Sequence, residues 1–139
     1  MREINSKAQK IMEALWSMAE NNKEEPNYYK LGNSDIFYPL AIEILEKNEI
    51  SICHYNKLNG DLMCNPEMVF IKSKEGKYYP IYYKNSFIGL EIFSASNVGD
   101  ELHCINEKQQ FDQALFADEW LNNIMQQQDL KIEGIVNDE

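Results

Sequence analysis

The chain has 139 residues, 44% of them apolar and 26% charged, a composition that excludes disorder and gives one domain enough apolar side chains for a core. Thirteen basic residues face twenty-three acidic ones, and residues 91–139 alone hold two lysines against eleven carboxylates. That balance argues against nucleic-acid binding, which needs a basic footprint.

No apolar run is long enough to cross a bilayer, and MREINSKAQK has no apolar leader region, so a cytoplasmic protein without membrane contact is expected. Three widely spaced cysteines, Cys53, Cys64 and Cys104, do not read as a disulfide framework.

The first predicted element is a helix. Ser6 to Gln9 reads as a capping box with Ser6 as N-cap, followed by Ala8, Ile11, Met12 and Leu15 at helical spacing. A tyrosine-rich loop leads to alternation over Leu40–Leu45, which predicts a strand; a helix over Ser34–Lys47 competes, with Pro39 against it. ISICHYNKL, MVFIKS, YYPIYYK and FIGLEIFSA read as further strands, with turns at Glu75-Gly76 and at Lys84-Asn85-Ser86. Pro80 places its strand at an edge or at a bulge.

Asn106 caps a second helix whose core side holds Phe111, Ala114, Leu115, Leu121, Ile124 and Met125, with Trp120 at its border. Residues 129–139 read as a tail or a short strand. The expected fold is a single α+β domain, an antiparallel meander of about four to five strands with an N-terminal and a C-terminal helix packed on it.

The stretch GDLMCNPEMVF concentrates the candidate chemistry. Asn59, Gly60, Asp61, Asn65, Pro66 and Glu67 read mainly as a structural turn, because such residues punctuate and cap tight turns. The catalytic alternative takes Asp61 and Glu67 as ligands of a metal ion and His54 as base, in an enzyme acting on nucleic acid. A Glu-x-Lys arrangement at Glu75-Gly76-Lys77 could join Asp61, but Glu75 and Gly76 read as turn residues. Neither the adjacent pairs Cys53-His54 and His103-Cys104 nor Cys64 has the spacing of a zinc site, since neighbours on a strand face opposite ways. No metal or cofactor is expected.

The leading functional expectation is a non-enzymatic protein-interaction module with an unidentified partner. Asp112, Asp118, Glu119 and Trp120 on the C-terminal helix are its candidate surface. An acidic mimic of DNA is a further alternative.

The segment ISICHYNKLNGDLMCNPEMVF, with His54-Tyr55, Asn59 to Met63, Asn65 to Met68 and Phe70, resembles an uncharacterised bacterial family of plasmids and conjugative elements. FADEWLNNIMQQQ, with Trp120 and Asn123, is similar to that family's C-terminal helix. The family usually carries Asp where Asn65 stands and often a basic residue where Cys64 stands. The resemblance, spanning about residues 28–128, implies a cytoplasmic accessory protein of a mobile element and supplies no reaction.

Overall fold

The computed structural model describes residues 1–32, 39–46, 48–98 and 101–135. It is an α+β arrangement: α1 (Ser6–Glu20), β1 (Tyr28–Leu31), β2 (Leu40–Ile44), β3 (Glu49–Leu58), β4 (Asp61–Lys72), β5 (Tyr78–Asn85), β6 (Leu90–Phe93), β7 (Ala95–Val98), β8 (Glu101–Cys104) and α2 (Glu107–Gln127). Strands β1 to β6 form one antiparallel sheet in chain order, and β7 pairs with β8 separately. That is more strands than the four to five expected from alternation.

The extra strands have identifiable causes. Tyr28–Leu31, read as loop, pairs with β2, and Ala95–Val98 pairs antiparallel with Glu101–Cys104. Residues 40–44 are strand and 39, 45 and 46 are not helical, so the competing helix fails there; its positions 34–38 and 47 lie outside the described residues.

α1 begins one residue earlier than expected, because Asn5 is its cap. The Asn5 side chain accepts the Ala8 N–H at 2.8 Å, while the Asn5 N–H donates to Asp118 at 2.8 Å. The second bond ties the cap to α2, which favours Asn5 over its equally suitable neighbour Ser6. α1 then buries Ala8, Ile11, Met12, Leu15 and Ala19, one stripe of a 3.6-residue period.

Both helices cover the same sheet face. Their apolar sides meet Leu40, Ile42, Ile50, Ile52, Met68, Phe70 and Tyr78 in one core. Each such side chain removed from water contributes about 1.5–3 kcal/mol before conformational entropy is set against it. The β7–β8 pair covers part of the opposite face, where Ile71, Ile81 and Ala95 form a small second core. Residues 129–135 fold back, with Leu130 buried and its N–H donating to the Met125 carbonyl at 2.9 Å.

The turns follow local chemistry. Asn59 and Gly60 have φ values of 53° and 86°, the left-handed pair that a two-residue hairpin between β3 and β4 demands. Gly76, at φ 83°, closes the expected β4–β5 turn. The next turn lies beyond the expected Lys84–Ser86: Asn85 accepts the Phe87 N–H at 3.1 Å, and the chain reverses over residues 86–89. The expected strand over Phe87–Ala95 therefore shrinks to Leu90–Phe93, leaving Phe87 and Ile88 exposed at the tip.

Two irregularities replace expected corners. Cys53 pairs with Glu67 but Tyr55 with Cys64, so Asn65 and Pro66 together oppose His54 as a bulge. The Asn65–Pro66 peptide bond is cis. The second bulge lies in β5, where Val69 pairs with Tyr82 and Phe70 with Pro80, accommodating a proline that has no N–H for the ladder.

Candidate functional site

GDLMCNPEMVF is therefore not a corner between strands. Its turn ends at Gly60, and Asp61 to Phe70 belong to β4. Asp61 is exposed at the strand's start, and Glu67 lies six residues further on, about 20 Å away at the rise of an extended chain. His54 is the cross-strand partner of the core residue Leu40 and so shares the helix-covered face. Glu67, in register with Cys53 and Lys84, lies on the opposite face. His54, Asp61 and Glu67 thus occupy three places and cannot share one reacting atom or one ion. Glu75 and Gly76 are in the β4–β5 turn, and Lys77 pairs with Glu3 at 3.4 Å. Among the described residues no three His, Cys, Asp or Glu side chains form a group able to hold a metal ion.

What β4 does build is a polar row on the less covered sheet face. The register aligns Ala41, Cys53, Glu67, Lys84 and Glu91 across five strands. Glu67 accepts the Ser51 hydroxyl at 2.9 Å, and the Cys53 thiol lies beside Cys64 and Tyr55. Burial, with the Cys64 contact second, pushes the Cys53 thiol well above the ordinary range, and the contact with Cys53 does the same for Tyr55. Tyr82 is pushed up to about 12, first by burial and then by the carboxylates of Glu91 and Glu67. Cys53 is 3% exposed, and a thiol kept protonated by burial is a poor nucleophile.

These shifts have a sign. Groups held protonated in the fold lose protons first in the unfolded chain, so stability is fully present below the ordinary thiol and phenol pKa values and falls as pH rises beyond them. Urea midpoints should hold up to about pH 8 and then decline through about pH 11. Cys53→Ala should flatten the early part of that decline, and an unchanged slope in the variant would remove Cys53 as its source.

The second candidate surface is α2. Of its expected interaction residues, Asp112 and Glu119 face solvent, Asp112 taking the Lys108 ammonium at 3.0 Å. Asp118 is engaged instead, accepting the Asn5 N–H and pairing with Arg2 at 3.4 Å. Trp120 is buried at 7% exposure and belongs to the core, with the Phe116 ring 6.1 Å from its own.

The rotation of α2 overturns part of the expected core side. Phe111 and Leu115 are 49% and 43% exposed, and Phe116 is 39% exposed, whereas Gln110 and Gln113 are buried. The glutamines face inward because they hold distant backbone. Gln110 accepts the Arg2 N–H and donates to the Arg2 and Pro80 carbonyls. Gln113 accepts the Ser94 hydroxyl at 2.6 Å and donates to the Ile92 carbonyl. A buried amide with its bonds satisfied is tolerable, and its demands fix which way the helix turns. The result is an apolar outer face on α2. Beside it, between α2 and β6, runs a groove of about 210 Å³ lined by Tyr83, Leu90, Ile92, Gln113 and Phe116, with Asp112 at its rim.

A helix–antiparallel sheet–helix α+β domain with a small two-stranded sheet on its other face is the class these features define. Within that class, residues 8–130 match the family model described as a domain of unknown function (DUF6908), and the chain belongs to that family. The match takes in most of α1, which the motif resemblance did not reach. No curated protein and no solved structure matches the chain. No helix among the described residues is long and apolar enough to cross a membrane.

Proposed function

We propose that this protein is a non-enzymatic interaction module that docks a partner protein through α2 and the neighbouring β6. The observation carrying the reading is the inverted burial of α2, where two glutamines are inside and two phenylalanines and a leucine face water. Contiguous exposed apolar side chains beside solvated carboxylates are the composition of a protein-binding patch. A mimic of DNA would present carboxylates there instead of aromatic rings. The separation of His54, Asp61 and Glu67 leaves the enzyme reading without a constellation. The resemblance of the central motif supports the setting, a cytoplasmic accessory protein of a bacterial mobile element.

A photo-crosslinking amino acid placed at Leu115 in host cells tests this. One dominant protein adduct is expected from position 115, and none from Glu13 on the exposed side of α1. Phe111→Ser with Phe116→Ser should reduce that adduct about tenfold, an ordinary cost for losing interface anchors. The same adducts from both positions, or none from either, would remove the proposal.

A further inference from the structure

We propose that the segment docked on this face is basic and extended, and that it adds as a further strand along β6 with apolar side chains entering the groove beside α2. The inference rests on the interaction reading and names the chemistry of the partner.

β6 is the last strand of the sheet, and its four residues, Leu90-Glu91-Ile92-Phe93, carry no lysine, proline or bulge and a single charge, Glu91. The opposite edge, β1, carries an exposed Lys30. Ser94 N–H donates to the Ile81 carbonyl, so alternation turns the Leu90 and Ile92 main-chain groups towards β5. The N–H and C=O of Glu91 and Phe93 then point along the sheet plane, away from β5. A strand added there gains main-chain hydrogen bonds, and its side chains alternate between the two faces.

Those two faces differ in chemistry, and the difference defines the occupant. On the α2 side, Leu90 and Ile92 line the groove with Tyr83 and Phe116, a space of about 210 Å³ that suits an apolar anchor. On the other side the added strand meets Glu91 and the ring of Phe93, which lies 4.7 Å from Tyr82. Alternate residues of the partner should therefore be apolar and basic. A second copy of this chain fits poorly, because its own β6 would bring another Glu91 and its residues 91–139 carry eleven carboxylates against two lysines. Glu91 has Lys84 beside it on β5, but its flank at the sheet edge is open, and a basic residue of the added strand complements it there.

Panning the full chain against a displayed library of random linear peptides of about twelve residues tests the proposal. Net-positive peptides with alternating apolar residues should be enriched. They should bind about tenfold more weakly to Glu91→Lys and to Phe116→Ala, and methylating alternate peptide amides should abolish binding because strand addition needs them. Both protein variants change exposed side chains, and their circular dichroism should match the parent.

Neutral or acidic binders, or binders indifferent to Glu91→Lys and to amide methylation, overturn the basic strand while leaving α2 as a docking surface. Absence of any selected peptide also overturns it; the crosslink from Leu115 then decides the interaction reading separately. Concentration-dependent dimerisation lost in Glu91→Lys would identify a second copy as the occupant and overturn the proposal as well.

Discussion

Gln110→Ala is expected to lower the unfolding free energy by about 3 kcal/mol, one of the largest costs available to a polar residue in this chain. Gln110 is 0% exposed and makes three bonds, accepting from Arg2 N–H at 2.7 Å and donating to the carbonyls of Arg2 at 2.7 Å and Pro80 at 3.2 Å. A hydrogen bond is worth about 1 kcal/mol net, and a buried group left without one costs about 1–3 kcal/mol. Arg2 is only half-buried and recovers water once freed, which keeps the total below the sum of three orphaned groups. Pro80 is buried, so its carbonyl recovers less.

Three variants separate the bonds from the packing. Gln110→Leu restores most of the volume but none of the bonds and should still cost about 2 kcal/mol. Gln109→Ala, on the exposed side of the same turn, should stay within about 0.5 kcal/mol of the parent. Urea titrations at neutral pH measure all three. A Gln110→Ala shift no larger than that of Gln109→Ala would mean that the N-terminal segment does not depend on the bridge.

The same glutamine explains how much could be read from the sequence. The start of α2 and the β4–β5 turn were legible because their causes are local. Asn106 does cap α2, accepting the Gln109 N–H at 2.9 Å, and Glu75-Gly76 does turn the chain between two strands. The face that α2 presents to solvent was not legible. Periodicity alone puts Phe111 and Leu115 inside, and the rotation that exposes them is set by bonds from Gln110 and Gln113 to Arg2, Pro80, Ile92 and Ser94, which are distant in sequence. The available signal was weak: two glutamines at i and i+3 on an otherwise apolar side.

The three candidate catalytic residues lie apart for a comparable reason. Asn65-Pro66 is a strong turn signal, and reading a turn there folds Glu67 back towards Asp61. A bulge within one long strand satisfies the same residues and holds the two carboxylates apart. Nothing local distinguishes the two outcomes. The pairing of β4 with both β3 and β5 decides it, because only a continuous strand keeps Met68 and Phe70 in the core face.

Tyr78 should separate a side chain's bulk from its polarity more sharply than any other position. Its ring is 0% exposed in the centre of the main core, with the Trp16 ring 6.2 Å away. Its hydroxyl is buried and has no hydrogen-bond partner among the described residues, and burial raises its ionisation above the ordinary phenol range. The main chain of Tyr78 does other work: its carbonyl accepts the Ile4 N–H at 3.0 Å, and a substitution leaves that bond in place. Tyr78→Ala should therefore cost about 4 kcal/mol, through lost burial and the cavity left behind. Tyr78→Phe should instead be neutral or gain up to about 1 kcal/mol, since it removes a desolvated group and keeps the ring. Thermal melts and urea midpoints of the two variants read the contrast directly. A loss above about 1 kcal/mol in Tyr78→Phe would show that the hydroxyl is satisfied in solution, and would extend the polar anchoring of the core from Gln110 and Gln113 to a wider network.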